Sequence, residues 1–304
     1  MSQDSVHIPV LLKESIDYLK ASSENYHTFL DCTAGGGGHS KQILDSKDTN
    51  IVYSMDRDVK AIERLNSKFA DYKERSKIIH SSFGKIMKNI DQKFDGILAD
   101  LGISSDQLAE DRGFSFSDSN LDMRMDTSNS TKTAKEIINN YNFNSLYRIF
   151  KIGGIKKEAS KLVKFIIENR NFNTAEELKE AVTRFYTTNK WTKKTNPATL
   201  VFQSLRIEVN GEFAEIKALL NQIPQIINKK GRVVIISFHS SEDKLIASTF
   251  RQWQNGDSLP PGWGTPEKKR LGNMITSKAV VPTLEEIESN PRSRSSLMRI
   301  FEFF

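Results

Sequence analysis

The sequence predicts an open α/β sheet of mainly parallel strands, split by an inserted all-helical domain, and three observations lead there. Short apolar runs that end in polar or acidic residues recur at 28–34, 50–58, 76–83, 94–102 and 231–240. Buried parallel strands read this way when each delivers its last residue to a cleft. Helical spacing fills the gaps between the first four runs, so the rhythm is βαβ. After Gly102 that rhythm stops for about 130 residues, and from Thr133 the pattern is helical throughout.

Taken in order, "TFLDCTA" (28–34) leads into four consecutive glycines, Gly35 to Gly38, and then a stretch of helical spacing. "NIVYSMDRD" (50–58) is followed by a helix with Val59, Ile62, Leu65 and Phe69 on one apolar stripe. "SKIIHSSF" and "FDGILADLG" supply the third and fourth strands, ending near Phe83 and Asp100. Residues 103–132 are polar and loop-like. Helices are then expected at 133–141, 144–150, 155–170, 173–188 and, as one long element, 198–223. Thr174 and Glu177 form the capping box of the fourth. The fifth strand follows, and "SSLMRIFEFF" at the carboxyl end reads as a final antiparallel strand at the sheet edge. The domains expected are 1–110 and 213–304 for the sheet, with 111–212 as the insert.

A chain of 304 residues with 38% hydrophobic and 9% aromatic residues can bury a full core, which argues against disorder. No run of eighteen apolar residues crosses a bilayer, and the amino-terminal stretch lacks the pattern of a secretory signal. Cys32 is the single cysteine, so neither an internal disulfide nor a cysteine-based zinc site is expected, and a reducing cytoplasm is the expected compartment. The five scattered histidines show no paired metal-ligand spacing. The net charge of +6 sits in one segment: residues 132–212 hold 15 Lys/Arg against 8 Asp/Glu, leaving 29 against 30 elsewhere. Positive charge gathered in this way fits a phosphate-rich partner, as well as a solvated lysine surface.

Glycines directly after a strand let the backbone turn sharply and approach a ligand. Dinucleotide enzymes use G-x-G-x-x-G, but from Gly35 and Gly37 the third place falls on Ser40. The spacing Asp31, Gly35, Gly37 suits S-adenosylmethionine, which has no pyrophosphate and whose cationic end favours a nearby carboxylate. Asp56, ending the second strand, can accept from both ribose hydroxyls, a device shared with NAD enzymes. Phe83 is placed to flank an adenine or to pack in the core. Asp100 closes the fourth strand, where a carboxylate is a candidate for chemistry.

Several long blocks then resemble one family: "HIPVLLKE" (7–14), "AGGGGHS" (34–40), "DLGISSDQL" (100–108), "RGFSFSDSNLDMRMD" (112–126), "FQSLRIEVNGE" (202–212), "SFHSSED" (237–243) and "NPRSRSS" (290–296). In that order they are similar to ribosomal RNA small subunit methyltransferase H, of the MraW type. The resemblance implies a class I S-adenosylmethionine-dependent methyltransferase, a Rossmann-like doubly wound sheet with an inserted helical substrate domain. It implies methylation of the 4-amino group of a cytidine in the decoding region of 16S rRNA, with the small ribosomal subunit as partner and no membrane or metal. By position it places the cofactor against Gly37, Gly38, His39, Asp56, Phe83, Asp100 and Gln107; His39 and Gln107 come from the resemblance alone. The chain departs from the family's pattern at two places: Ile155 and Lys156 stand where an acidic pair is usual, and Leu200 where a basic residue is.

A cytosine amine is a weak nucleophile, so positioning is the main catalytic task. Asp100, or the carbonyls of Leu101 and Gly102, can accept from the amine as positive charge develops there. The [D/N/S]-P-P-[Y/F/W] motif of DNA amino-methyltransferases is absent from this strand end, which reads Asp100-Leu101-Gly102-Ile103. Phe114, Phe116, Phe238 or Trp263 would then stack on the base. His239 and Asp243 either line the substrate side or belong to a helix start capped by Ser240 or Ser241. The segment 112–126 is expected to be a lid over cofactor or RNA. Lys156, Lys157, Lys161 and Lys164 are expected to contribute to RNA binding. The rival readings are a nicotinamide-dependent oxidoreductase on the same sheet and a non-catalytic RNA-binding assembly protein.

Overall fold

The computed structural model describes residues 8–128, 131–188, 196–256 and 269–304. The chain divides into two compact units, Met1–Gly102 with Ala214–Phe304, and Ile103–Phe213.

The first unit is built on seven strands: β1 Thr28–Asp31, β2 Ile51–Asp56, β3 Ser76–His80, β4 Phe94–Asp100, β5 Ile227–Ser237, β6 Gly272–Met274 and β7 Leu297–Phe303. Their order is β3-β2-β1-β4-β5-β7-β6. The five strands from β3 to β5 are parallel, and β7 runs antiparallel to both β5 and β6. Ile97, Leu98 and Ala99 of β4 and Val233 to Ile236 of β5 are all buried, because helices cover both faces of a parallel sheet and leave no polar side. The expected α/β, Rossmann-like doubly wound sheet is therefore present. The strand order reverses between β1 and β4, and in such sheets the ligand crevice lies outside the carboxyl ends at that point.

Three expectations change. The last strand, β7, is antiparallel but not at the edge; the short β6 pairs with its outer side. On the helix Val59–Lys68 the buried stripe runs through Ala61, Leu65 and Phe69, while Val59 is exposed in the first turn beside the cap residue Asp58. The long helix expected over 198–223 is two helices, Thr199–Asn210 and Glu212–Ile226. Gly211 separates them at φ 60°, in the left-handed region that glycine enters at least cost.

The second unit contains the helices Ser105–Ala109, Ala134–Asn140, Phe143–Ile152, Ala159–Glu168, Ala175–Thr188 and Thr199–Asn210. Thr174 and Glu177 close the expected capping box. The segment 112–126, expected as a lid, packs into the core of this unit. Phe114, Leu121, Met123 and Met125 are buried in the same apolar core as Ile149, Leu162 and Leu205. Arg112 holds the segment together by pairing with Glu110 and donating to the Met125 carbonyl, and Asn210 bonds to Met123 and Met125. Ile155, at one of the departures, is also core. The helical unit begins at Ile103 and ends at Phe213, against 111 and 212 expected from the sequence pattern.

Candidate functional site

The carboxyl ends of β1, β2 and β4 bring three aspartates to one rim of the sheet: Asp31, Asp56 and Asp100. β1 lies between the other two, so Asp56 and Asp100 flank the glycine loop across two strand spacings, about 10 Å.

Asp31 turns inward. It is 1% exposed, accepts from Ser40 Oγ at 2.7 Å and from the Thr33 amide at 3.2 Å, and Ser40 in turn accepts from Ser54. Burial pushes its carboxyl from the ordinary 3.8 up to about 6. Through Ser40 it ties the first turn of the helix Gly38–Ser46 to the strand beneath. Ser40, the residue that fails the dinucleotide pattern, is the partner that makes this possible.

The glycines also answer to the protein's own packing. Gly37 caps that helix at φ 74°, and a Cβ there would stand 2.8 Å from both Leu65 and Phe69. A Cβ on Gly38 would stand 2.2 Å from Cγ of Pro9. His39 is buried, and its Nε2 lies 3.0 Å from the Val10 carbonyl. The loop is thus bare partly because Pro9 and Val10 press on it from outside and Leu65 and Phe69 from behind.

Asp56 accepts from the Gly35 amide at 2.8 Å and from the Asp58 amide at 2.9 Å, with a further backbone bond from Arg57. Burial raises its pKa. A carboxylate has about four lone-pair sites, so capacity remains for a hydroxyl donor. Phe83 begins a short 3-10 turn, Phe83–Lys85, directly after β3, and is half-buried. Beside it, Ser82 Oγ is buried without a hydrogen-bond partner.

Asp100 is the most polarised of the three. Its amide donates to Thr33 Oγ1 at 2.7 Å, His39 Nδ1 stands 3.9 Å from Oδ2, and Oδ1 is buried without any partner. Burial, then repulsion from Asp31 and Glu242, drives its pKa well above the usual carboxylate range. A buried acceptor left unmade costs about 1–3 kcal/mol. Such an oxygen marks the place where a cationic or hydrogen-bond-donating ligand would be stabilised most.

Glu242 was not anticipated as part of this electrostatics. It lies buried after β5, accepts from the Phe238 amide at 3.0 Å and sits 3.0 Å from His239 Nε2. The signal available for it was its place directly after the paired serines of "SFHSSED". His239 itself caps the helix Ser240–Asn255, so neither Ser240 nor Ser241 does. Asp243 makes a two-pronged ion pair with Arg299 of β7 at 2.5 and 2.9 Å, a structural tie.

Of the proposed stacking rings, Phe114 is core and Phe116 packs edge-on against Phe202 at 4.8 Å. Phe238 stays at the carboxyl end of β5 beside Gly102, whose Cβ would touch it at 3.4 Å. Trp263 and His7 lie outside the described residues. Gln107 belongs to the helical unit, where its Oε1 accepts from the Ser104 amide in a capping box.

The model of the MraW methylase family matches residues 4–304. A ribosomal RNA small subunit methyltransferase H from Wolinella succinogenes is 41% identical over 310 residues, covering 99% of each chain. One from a Nitratiruptor species is 38% identical over 303 residues, covering 98% of each. Among solved structures, a methyltransferase from Streptococcus mutans in complex with SAH aligns at a TM-score of 0.44 and 11% identity, covering 98% of this chain and 99% of that one.

Proposed function

The chain belongs to the MraW methylase family, and from that premise we propose that it methylates the 4-amino group of a cytidine in the decoding region of 16S rRNA. It is an S-adenosylmethionine-dependent rRNA methyltransferase. The choice of small-subunit RNA is supported by what the two relatives are called, and the cytidine amine by the family resemblance of the sequence blocks alone. A cytoplasmic location is supported by that substrate; among the described residues no helix is long and apolar enough to cross a membrane. The observation that carries the reading is the family match along nearly the whole chain.

The residues fit the cofactor. The partnerless Asp100 Oδ1 answers a cationic ligand, and the spare acceptor capacity of Asp56 answers a ribose. When bound, S-adenosylmethionine supplies a methyl group on a positively charged sulfur. We assign Asp56 to the sugar, Phe83 to the adenine face, and Gly37, Gly38 and His39 to the wall of the pocket; Gln107 is assigned from the resemblance alone. Asp100 would hold negative charge where the transferred methyl leaves positive charge behind on the amine, which stabilises the transition state more than the ground state. The carbonyls of Leu101 and Gly102 are the neighbouring acceptors. Fixing both reactants in line supplies up to about 7–11 kcal/mol, so these residues act chiefly by placement.

The test is mass spectrometry of rRNA nucleosides from cells with and without the gene. A 4-methylated cytidine missing from 16S rRNA only in the deletion strain is expected. An unchanged nucleoside profile would overturn the reading.

A further inference from the structure

Lys156, Lys157, Lys161 and Lys164 are all exposed, on the helix Ala159–Glu168 and the turn before it. None makes a side-chain ion pair or hydrogen bond among the described residues. The opposite side of that helix buries Leu162, Val163 and Ile166, so apolar packing fixes which stripe meets solvent. A merely solvated helix would set acids three or four residues from its lysines. Here Glu158 and Glu168 do stand three and four residues from Lys161 and Lys164, yet neither forms an ion pair with its lysine among the described residues, and no acid lies at that spacing on the helix for Lys156 or Lys157.

The preceding helix, Phe143–Ile152, adds an aromatic element. Tyr147 is 37% exposed, Phe143 lies parallel to it at 6.1 Å, and Lys151 Nζ stands 6.0 Å over its ring. Lys151 also donates to the Lys156 carbonyl at 3.2 Å, which joins the ring to the start of the lysine row. By contrast Arg148, on the same helix, is already paired with Glu208 at 2.9 Å. Unpaired cations in a row beside an exposed, pre-stacked ring are the combination that binds single-stranded nucleic acid, the cations following phosphates and the ring taking a base.

We propose that the face from Tyr147 through Lys151, Lys156 and Lys157 to Lys161 and Lys164 grips the phosphate backbone of the rRNA substrate, with Tyr147 stacking on an unpaired base. The proposal rests on the rRNA reading above and adds where, on this chain, the RNA is held. Exposed lysines that form no ion pair have none to break on binding and gain by releasing counterions from RNA, about 0.7 ion per phosphate contact on a single strand.

Fluorescence anisotropy with a labelled single-stranded RNA oligonucleotide of decoding-region sequence, from about 0.05 to 0.3 M salt, tests it. The variant with Lys156, Lys157, Lys161 and Lys164 all changed to Gln should bind roughly 100-fold more weakly at physiological salt, and the slope of log K against log salt should flatten by about 3. Tyr147→Ala should weaken binding about 10-fold and leave the slope unchanged. Calorimetric S-adenosylmethionine binding should equal wild type in both variants, which certifies their folding. Wild-type RNA affinity and slope in the lysine variant would overturn the proposal. No RNA binding by the wild-type chain, with cofactor binding intact, would overturn the substrate reading itself.

Discussion

The rim of the sheet and the lysine face of the helical unit both gather ionisable groups of one sign, and they present them in opposite ways. At the rim, Asp31 is buried and Asp56 and Asp100 are half-buried, and desolvation raises the pKa of each. On the helix Ala159–Glu168 and the turn before it the lysines are exposed. A buried unpaired charge is costly and persists only where something offsets it, whereas an exposed one costs almost nothing. The difference separates two kinds of recognition: a small cationic ligand taken into a desolvated rim, and a long polyanion met on a hydrated surface.

The largest expected effect concerns Asp31. Its carboxyl binds a proton more tightly folded than unfolded, so its contribution to stability declines as pH rises from 3.8 to about 6 and stays at the lower value above that. Asp31→Asn keeps an acceptor for Ser40 and removes the charge. Relative to wild type, its unfolding free energy should gain up to about 3 kcal/mol between pH ~4 and pH ~7.5 in urea titrations. A difference independent of pH would mean that the rim does not desolvate this group. Next, Asp100→Asn should weaken S-adenosylmethionine binding roughly 100-fold by calorimetry; unchanged affinity would detach the orphaned oxygen from the cofactor. Gly38→Ala should cost about 1–3 kcal/mol of stability through its contact with Pro9, and a neutral result would show that Pro9 yields freely. Gly211→Ala, with open space around the added carbon, should cost only about 1 kcal/mol, from its left-handed backbone alone.

The same contrast governs what could be read from the sequence. Parallel strands buried on both faces are continuous apolar runs, so β1 to β5, and the acids ending β1, β2 and β4, are visible in the sequence. β6 was not, since three residues, Gly272 to Met274, pair through backbone and leave no pattern. The break at Gly211 was legible in the Asn-Gly pair, an ordinary turn signal, but the helical spacing on both sides masked it. The segment 112–126 misled because its buried residues, Phe114, Leu121, Met123 and Met125, follow no period; Met123 takes φ 61° to turn inward. The inward Asp31 and the distant Glu242 depend on which strand ends become neighbours, which only topology decides.

Hydrogen exchange of the protein with and without saturating S-adenosylmethionine tests the division between rim and surface most directly. Added protection should fall on the loop from Cys32 to Ser40 and on the amides around Asp56 and Asp100, with none from Lys156 to Lys164. Protection of that lysine segment by the cofactor alone, or an unprotected glycine loop, would contradict it.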